Sequence, residues 1–269
     1  MELNITKTKR DGILIITHGS SDLNADLSFS DLLYTELKER YPEALVCQAY
    51  SAPKTLQRID RERAQTPVNT VPEMLEYMRE EGVEDLYVLA ANLNPCKKYS
   101  RVLGMIEPCR DAFSSVRVSP PLLSREADPA KVAGVLGGIL KDAASPETDL
   151  IVLAAHTANE EIVELWRPVV ELLQKESEIP VRLVFHNGKP GFSDLVSDFS
   201  SGVSSGVKGQ NILIVPMMLF GGRHLQKDLM GEDGSLAALL KGAGQNVTVS
   251  PKGLGEYSGI RELFYRDLK

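Results

Sequence analysis

The chain contains four histidines, His18, His156, His186 and His224, and each falls at or shortly after the end of a strand-like apolar run. Ile13-Leu14-Ile15-Ile16-Thr17 leads into His18, Leu150-Ile151-Val152-Leu153-Ala154-Ala155 into His156, and Val181-Arg182-Leu183-Val184-Phe185 into His186. Ile212-Leu213-Ile214-Val215 precedes the segment that carries His224. Any one of these alone reads as a hydrogen-bonded loop histidine; the shared placement is what carries chemical meaning. Imidazole is the commonest metal ligand and a natural proton acceptor near neutral pH. Neutral imidazoles with open positions beside them would take up a divalent transition metal and release it again.

Basic side chains supply a second signal. Lys97 and Lys98 follow one strand end, Lys189 another, and Arg223 and Lys227 flank His224. Cations gathered at strand ends of a chain with net charge −7 suit a polyanionic small ligand held by charge-assisted hydrogen bonds. That same net charge argues against non-specific nucleic-acid binding. Neither a Gly-x-Gly-x-x-Gly nor a Walker loop occurs, so no nucleotide is implied. His18-Gly19-Ser20-Ser21 puts serines beside a histidine, but without a Gly-x-Ser-x-Gly elbow, and hydrolase chemistry ranks low. Cys47, Cys96 and Cys109 have no Cys-x-x-Cys spacing, which signals neither a disulfide framework nor a thiolate zinc site. Cys96 is read as a small residue rather than a ligand. No run of about 18 apolar residues suggests a membrane helix. Residues Met1 to Arg10 lack an apolar signal core, so a cytoplasmic location is expected.

Strand-like runs alternating with amphipathic stretches predict an α/β protein built from β-α-β units. The pattern occurs twice. Leu86 to Asn92 answers Asn211 to Met218, and Val116 to Pro120 answers Val247 to Pro251. The expectation is two similar lobes, each a parallel four-stranded sheet flanked by helices, spanning residues 1–142 and 143–269. The boundary follows from the linker-like stretch Asp142 to Asp149. Helices are predicted over Asp26–Tyr41 with Leu27 on its apolar face, within Thr66–Gly82, and over Tyr99–Phe113, Asp128–Lys141 and Glu160–Lys175. A Gly- and Ser-rich helix and loop follow over Phe192–Gly209. Pro216, Gly221 and Gly222 put His224 on an irregular loop. Open α/β sheets bind ligands at the carboxyl ends of their strands. A ligand cleft is therefore expected between the lobes, with imidazoles from both converging on it.

At the level of motifs, Pro216-Met217-Met218-Leu219-Phe220-Gly221-Gly222-Arg223-His224-Leu225-Gln226-Lys227-Asp228-Leu229-Met230 resembles the signature of the anaerobic cobalt chelatases of cobalamin biosynthesis. Gly253-Leu254-Gly255-Glu256, with Ile260 and Phe264, is similar to their C-terminal segment. Ala155-His156-Thr157 and Ala49-Tyr50-Ser51 resemble two further motifs in the same order. The resemblance implies a class II chelatase fold and ATP-independent insertion of Co²⁺ into sirohydrochlorin, with Ni²⁺ or Fe²⁺ as other metal substrates. By position it makes His156 and His224 the catalytic, metal-binding pair. Two positions depart from the family pattern. Asn187 stands where the family has a glutamate, with His186 beside it as a third ligand or base, and Asn92 replaces a family histidine.

The ring's carboxylates are expected on Lys97, Lys98, Arg223 and Lys227, and its apolar faces on Met218, Leu219 and Phe220. His18, Asn92 and Asn187 complete the expected substrate-binding set. The alternative is a tetrapyrrole or haem carrier that has lost proton transfer through Asn92 and Asn187. A metal-dependent hydrolase is a third, poorer reading. A homo-oligomer stays open.

Overall fold

The computed structural model describes residues 10–18, 23–52, 69–200, 210–266 and 268. The Met1–Lys9 segment, Gly19-Ser20-Ser21, Thr66-Pro67, the Leu27 side chain and residues 201–209 of the expected Gly- and Ser-rich loop lie outside the described residues.

Two compact units make up the chain. Residues 1–122 and 264–269 form the first, and residues 123–263 the second. In the first, β1 (Arg10–Thr17), β2 (Leu45–Tyr50), β3 (Val83–Ala90) and β4 (Ser115–Val118) form a parallel sheet in the order β2-β1-β3-β4. Its helices are α1 (Leu23–Arg40), α2 (Val71–Glu80) and α3 (Lys97–Ile106). The central strands are apolar almost throughout because both faces of the sheet are covered. Leu14, Ile16, Leu86 and Val88 pack against Leu75 and Met78 of α2 and Val102 and Ile106 of α3.

The second unit repeats the plan. Its strands are β5 (Leu150–Thr157), β6 (Val181–Asn187), β7 (Asn211–Pro216) and β8 (Asn246–Val249), parallel and in the order β6-β5-β7-β8. The helices are α4 (Pro129–Ala143), α5 (Glu160–Glu176), α6 (Phe192–Ser200), α7 (Leu236–Gly242) and all but the last two residues of α8 (Ser258–Tyr265). In each sheet the strand order reverses beside the first strand of the unit, where connections leave in opposite directions and open a crevice at the carboxyl edge.

Three local expectations are corrected. The helix expected over Tyr99–Phe113 ends at Ile106 and continues as a 3₁₀ turn, Glu107–Ala112, because Pro108 has no N–H to continue the ladder. The units divide at Leu122/Leu123 rather than at the Ser-Pro stretch after residue 142, since α4 packs along α5 and so belongs to the second unit. The C-terminal residues return to the first unit. Phe264 rests against Phe29, and its carbonyl accepts from the Tyr87 hydroxyl at 3.2 Å.

Candidate metal centre

Strand order and register assemble the second unit's site. β5 lies between β6 and β7, and neighbouring strands are about 4.8 Å apart. Thr157 is paired with Asn187 and Ala155 with Phe185, so His156 and His186 come side by side at the carboxyl edge. Their ring centroids are 5.8 Å apart, and the His186 ring meets the edge of Phe192 at 5.4 Å. His224 arrives from beyond β7, with its ring centroid 4.0 Å from that of His156.

The segment bearing His224 is not the irregular loop expected. His224 has helical dihedrals and opens a π-helical turn, Leu225–Leu229, closed by the Met230 N–H donating to the Leu225 carbonyl at 3.0 Å. Such turns are frequent at functional sites. Their winding stacks residues four apart, and His224 Nδ1 donates to Asp228 Oδ2 at 2.7 Å. Asp228 is largely buried, 12% exposed at its side chain, and its Oδ2 is also 4.0 Å from His186 Nδ1. One ligand atom from each of His156, His186 and Asp228 lies within 4.8 Å of the others.

Neighbouring polar groups fix the rings. Thr157 Oγ1 is 2.6 Å from His156 Nδ1. The Asn187 amide donates to His186 Nδ1 at 3.1 Å, which selects the tautomer with the lone pair on Nδ1. The loop from β7 to the π-turn is tied down by a later segment. Leu254 N–H donates to the Met218 carbonyl at 2.7 Å and Gly255 N–H to that of Leu219 at 3.0 Å. The buried Arg261 guanidinium in turn donates to the Gly255 carbonyl at 2.8 Å. Gly253 has no room for a side chain, since a Cβ there would fall 2.6 Å from Gly221 N.

The expected residues fall into two groups. The structure brings His156, His186, Asn187 and His224 together on one sheet edge of the second unit. These three histidines stand on, or just beyond, three adjacent strands of the second unit's sheet. Arg223, Lys227 and Lys189 are exposed nearby in sequence. Met218 and Phe220 are half-buried, whereas Leu219 is buried, so it packs inside rather than offering an apolar surface to a ligand.

His18, Asn92, Lys97 and Lys98 belong to the first unit, at the equivalent sheet edge. His18 Nδ1 lies 3.3 Å from Ser51 Oγ. Burial, then the charges of Lys98 and Arg101, pull its pKa down to about 4, so this ring is neutral at physiological pH. Asn92 accepts at its carbonyl from Leu122 N–H, and its Oδ1 lies 3.8 Å from Cys96 Sγ. Lys97 and Lys98 are exposed in the first turn of α3, whose N-cap, Cys96, makes no side-chain capping bond.

The residue that sequence reading missed is Asp228. Its signal was the four-residue spacing from His224, which places both on one face once the segment winds helically.

A pair of four-stranded parallel α/β units with ligand-type side chains at the strand ends is the architecture of class II chelatases, and comparison with known proteins agrees. The family model for cobalt chelatase (CbiK) matches residues 11–269, and the chain belongs to that family. Among solved structures, SirB from Bacillus subtilis with Fe³⁺ is similar at a TM-score of 0.69 and 16% identity, over 96% of this chain and 93% of that one. The sirohydrochlorin chelatase SirB from Bacillus subtilis subspecies spizizenii, in complex with cobalt, gives 0.65 and 14% over the same shares. CbiX, described as the terminal enzyme of siroheme biosynthesis in denitrifying bacteria, gives 0.51 and 16%, over 97% of this chain and all of that one. No curated protein matches the sequence.

Proposed function

We propose that the protein inserts a divalent first-row metal ion, Co²⁺ foremost, into sirohydrochlorin or a closely related tetrapyrrole, without nucleotide, in a cobalamin-type biosynthetic route in the cytoplasm. The observation that carries this reading is the cluster of His156, His186 and His224 at one carboxyl sheet edge, backed by Asp228. Family membership and the chelatase fold support it.

Metal insertion has two physical barriers. The ion must exchange water for ring nitrogens, and two pyrrole protons must leave as it enters. Imidazoles address both. They replace water around the ion, bind it reversibly, and accept protons when ring nitrogens displace them. His156 and His224 are the catalytic pair, and His186 is a further imidazole for the ion. Arg223 and Lys227 take the macrocycle's carboxylates, and Met218 and Phe220 meet its apolar surface. Lys97 and Lys98, with His18 and Asn92, are the substrate-binding candidates of the first unit. Asn187 cannot accept a proton as a carboxylate would. It instead orients His186.

The test mixes purified protein, sirohydrochlorin and Co²⁺, Ni²⁺ or Fe²⁺ and follows the absorbance of the metallated ring. Multiple turnovers are expected for the wild type. His224→Ala should lower the rate at least about 100-fold, in line with loss of a general base, with an unchanged circular dichroism spectrum. Insertion at the wild-type rate in that variant overturns its role. A stoichiometric spectral shift without turnover would identify a tetrapyrrole carrier instead.

A further inference from the structure

We propose that Arg261 is a positioning residue: buried behind the turn at 253–256, it sets the segment that delivers His224. The proposal rests on the chelatase reading and extends it to a side chain set back from the site. Residues 217–222, between β7 and the helical residues that begin at Arg223, adopt neither helix nor strand. Such a stretch takes its path from whatever satisfies its backbone groups. Met217 N–H donates to the Ala154 carbonyl at 2.8 Å, which fixes the near end on β5. At the far end Gln226 N–H donates to the Gly222 carbonyl at 3.2 Å and opens the turn. Between them, the carbonyls of Met218 and Leu219 are taken by the N–H groups of Leu254 and Gly255.

Close backbone approach makes this contact stiff. A Cβ at Gly253 would fall 2.6 Å from Gly221 N and 2.7 Å from both the Leu219 oxygen and the Phe220 carbonyl carbon. Glu256 closes the turn by accepting from Gly253 N–H at 2.8 Å. Arg261 donates to the Gly255 carbonyl at 2.8 Å. Gly255 is thus held at its N–H by Leu219 and at its carbonyl by the guanidinium. Burying a guanidinium costs more than burying an apolar side chain of similar size, because its charge leaves water. At 5% exposure Arg261 bears that cost, and it aims a donor at the turn that holds the His224 segment.

Proton transfer and ligand exchange need reacting groups placed to a fraction of an ångström, whereas charge and apolar contacts with a macrocycle weaken gradually. A misplacement of about 1 Å can cost about 100-fold in rate. Loss of Arg261 is therefore expected to act on kcat rather than on KM for sirohydrochlorin. It is also expected to change the surroundings of the His224 ring, whose centroid lies 4.0 Å from that of His156. At that separation the ring current of His156 makes the His224 ring resonances sensitive to a small shift.

The experiment compares the full-length wild type with Arg261→Leu, Arg261→Lys and Leu75→Ala. It reads thermal melts, histidine-ring NMR at one pH, and metallation of sirohydrochlorin by Co²⁺. Arg261→Leu should lower kcat by about 10- to 100-fold and change KM for sirohydrochlorin by less than about threefold. Its His224 ring resonances should move while those of His18 stay. Arg261→Lys keeps a charged donor and should be intermediate on both readouts. Leu75→Ala, in the core of the first unit, should melt well below the wild type. It should nonetheless keep the wild-type kcat per folded molecule and the His224 resonances. Wild-type kcat and resonances in Arg261→Leu overturn the proposal, as does a loss of rate no larger than its unfolded fraction. Should Arg261→Leu fail to fold, Arg261→Lys decides, and wild-type values in it overturn the proposal. A wild type that never turns over, with the resonances moving as expected, rejects the chelatase reading and keeps the positioning role. Turnover by the wild type with nothing changed in Arg261→Leu does the reverse.

Discussion

Burial keeps the His18 ring uncharged, and this has a measurable consequence for pH stability. Its pKa is about 4 in the folded chain against 6.5 in an exposed imidazole. Between those values the unfolded chain binds the extra proton and the folded chain does not. Stability therefore falls as pH drops from 6.5 towards 4, and is unaffected by this group above that window. NMR titration of the His18 ring should give a midpoint near 4, and His18→Gln should flatten this part of the stability profile. A midpoint near 6.5 would mean the ring is hydrated. The histidines as a set were legible in the sequence because their chemistry is rare and their positions shared one rule. Asp228 was not, because one carboxylate among 37 acidic residues stands out only once the winding of its segment is known. Leu219 misled for a related reason: an apolar side chain near a candidate site histidine reads equally as wall or as core.

Helix α2 shows how local chemistry fixes an element's start. Thr70 accepts from Glu73 N–H, and Glu73 Oε2 accepts from the Thr70 N–H at 2.8 Å, a reciprocal capping box followed by Pro72. Thr70→Ala should cost about 1 kcal/mol in a denaturant melt, with Co²⁺ affinity unchanged because the cap lies in the first unit. Unaltered stability would show that the cap contributes nothing net. The central strands β1, β3, β5 and β7 were readable because parallel strands covered on both faces become largely unbroken apolar runs, whereas the edge strands β4 and β8 show only a short alternation. Element ends were less so. Pro108 stops α3 early although the apolar pattern runs on through Phe113, and the glycines before His224 suggest a loop where the chain rewinds into a π-turn. The first is a case where one residue's backbone demand outweighs the surrounding pattern, and the second is the reverse.

At the scale of the whole chain, the repeated sheet order was foreshadowed by paired strand runs, but the partition into units was not. Local composition marks the Ser-Pro stretch after residue 142, whereas packing assigns α4 to the second unit and the last residues to the first. Long-range contacts of this kind leave no local trace. Phe264 is nearly inaccessible and touches Phe29, so Phe264→Ala should destabilise the protein by about 3 kcal/mol. A shift of less than about 1 kcal/mol in the unfolding midpoint energy would argue that the tail is not integral to that core. The segment around Gly253 has a subtler consequence. A side chain there would be driven into the backbone of Gly221, and the Arg261 guanidinium behind it removes any slack. A lesion well downstream of every proposed ligand would thus reach the turn that carries His224 and Asp228: a protein that melts below its parent and holds cobalt less tightly.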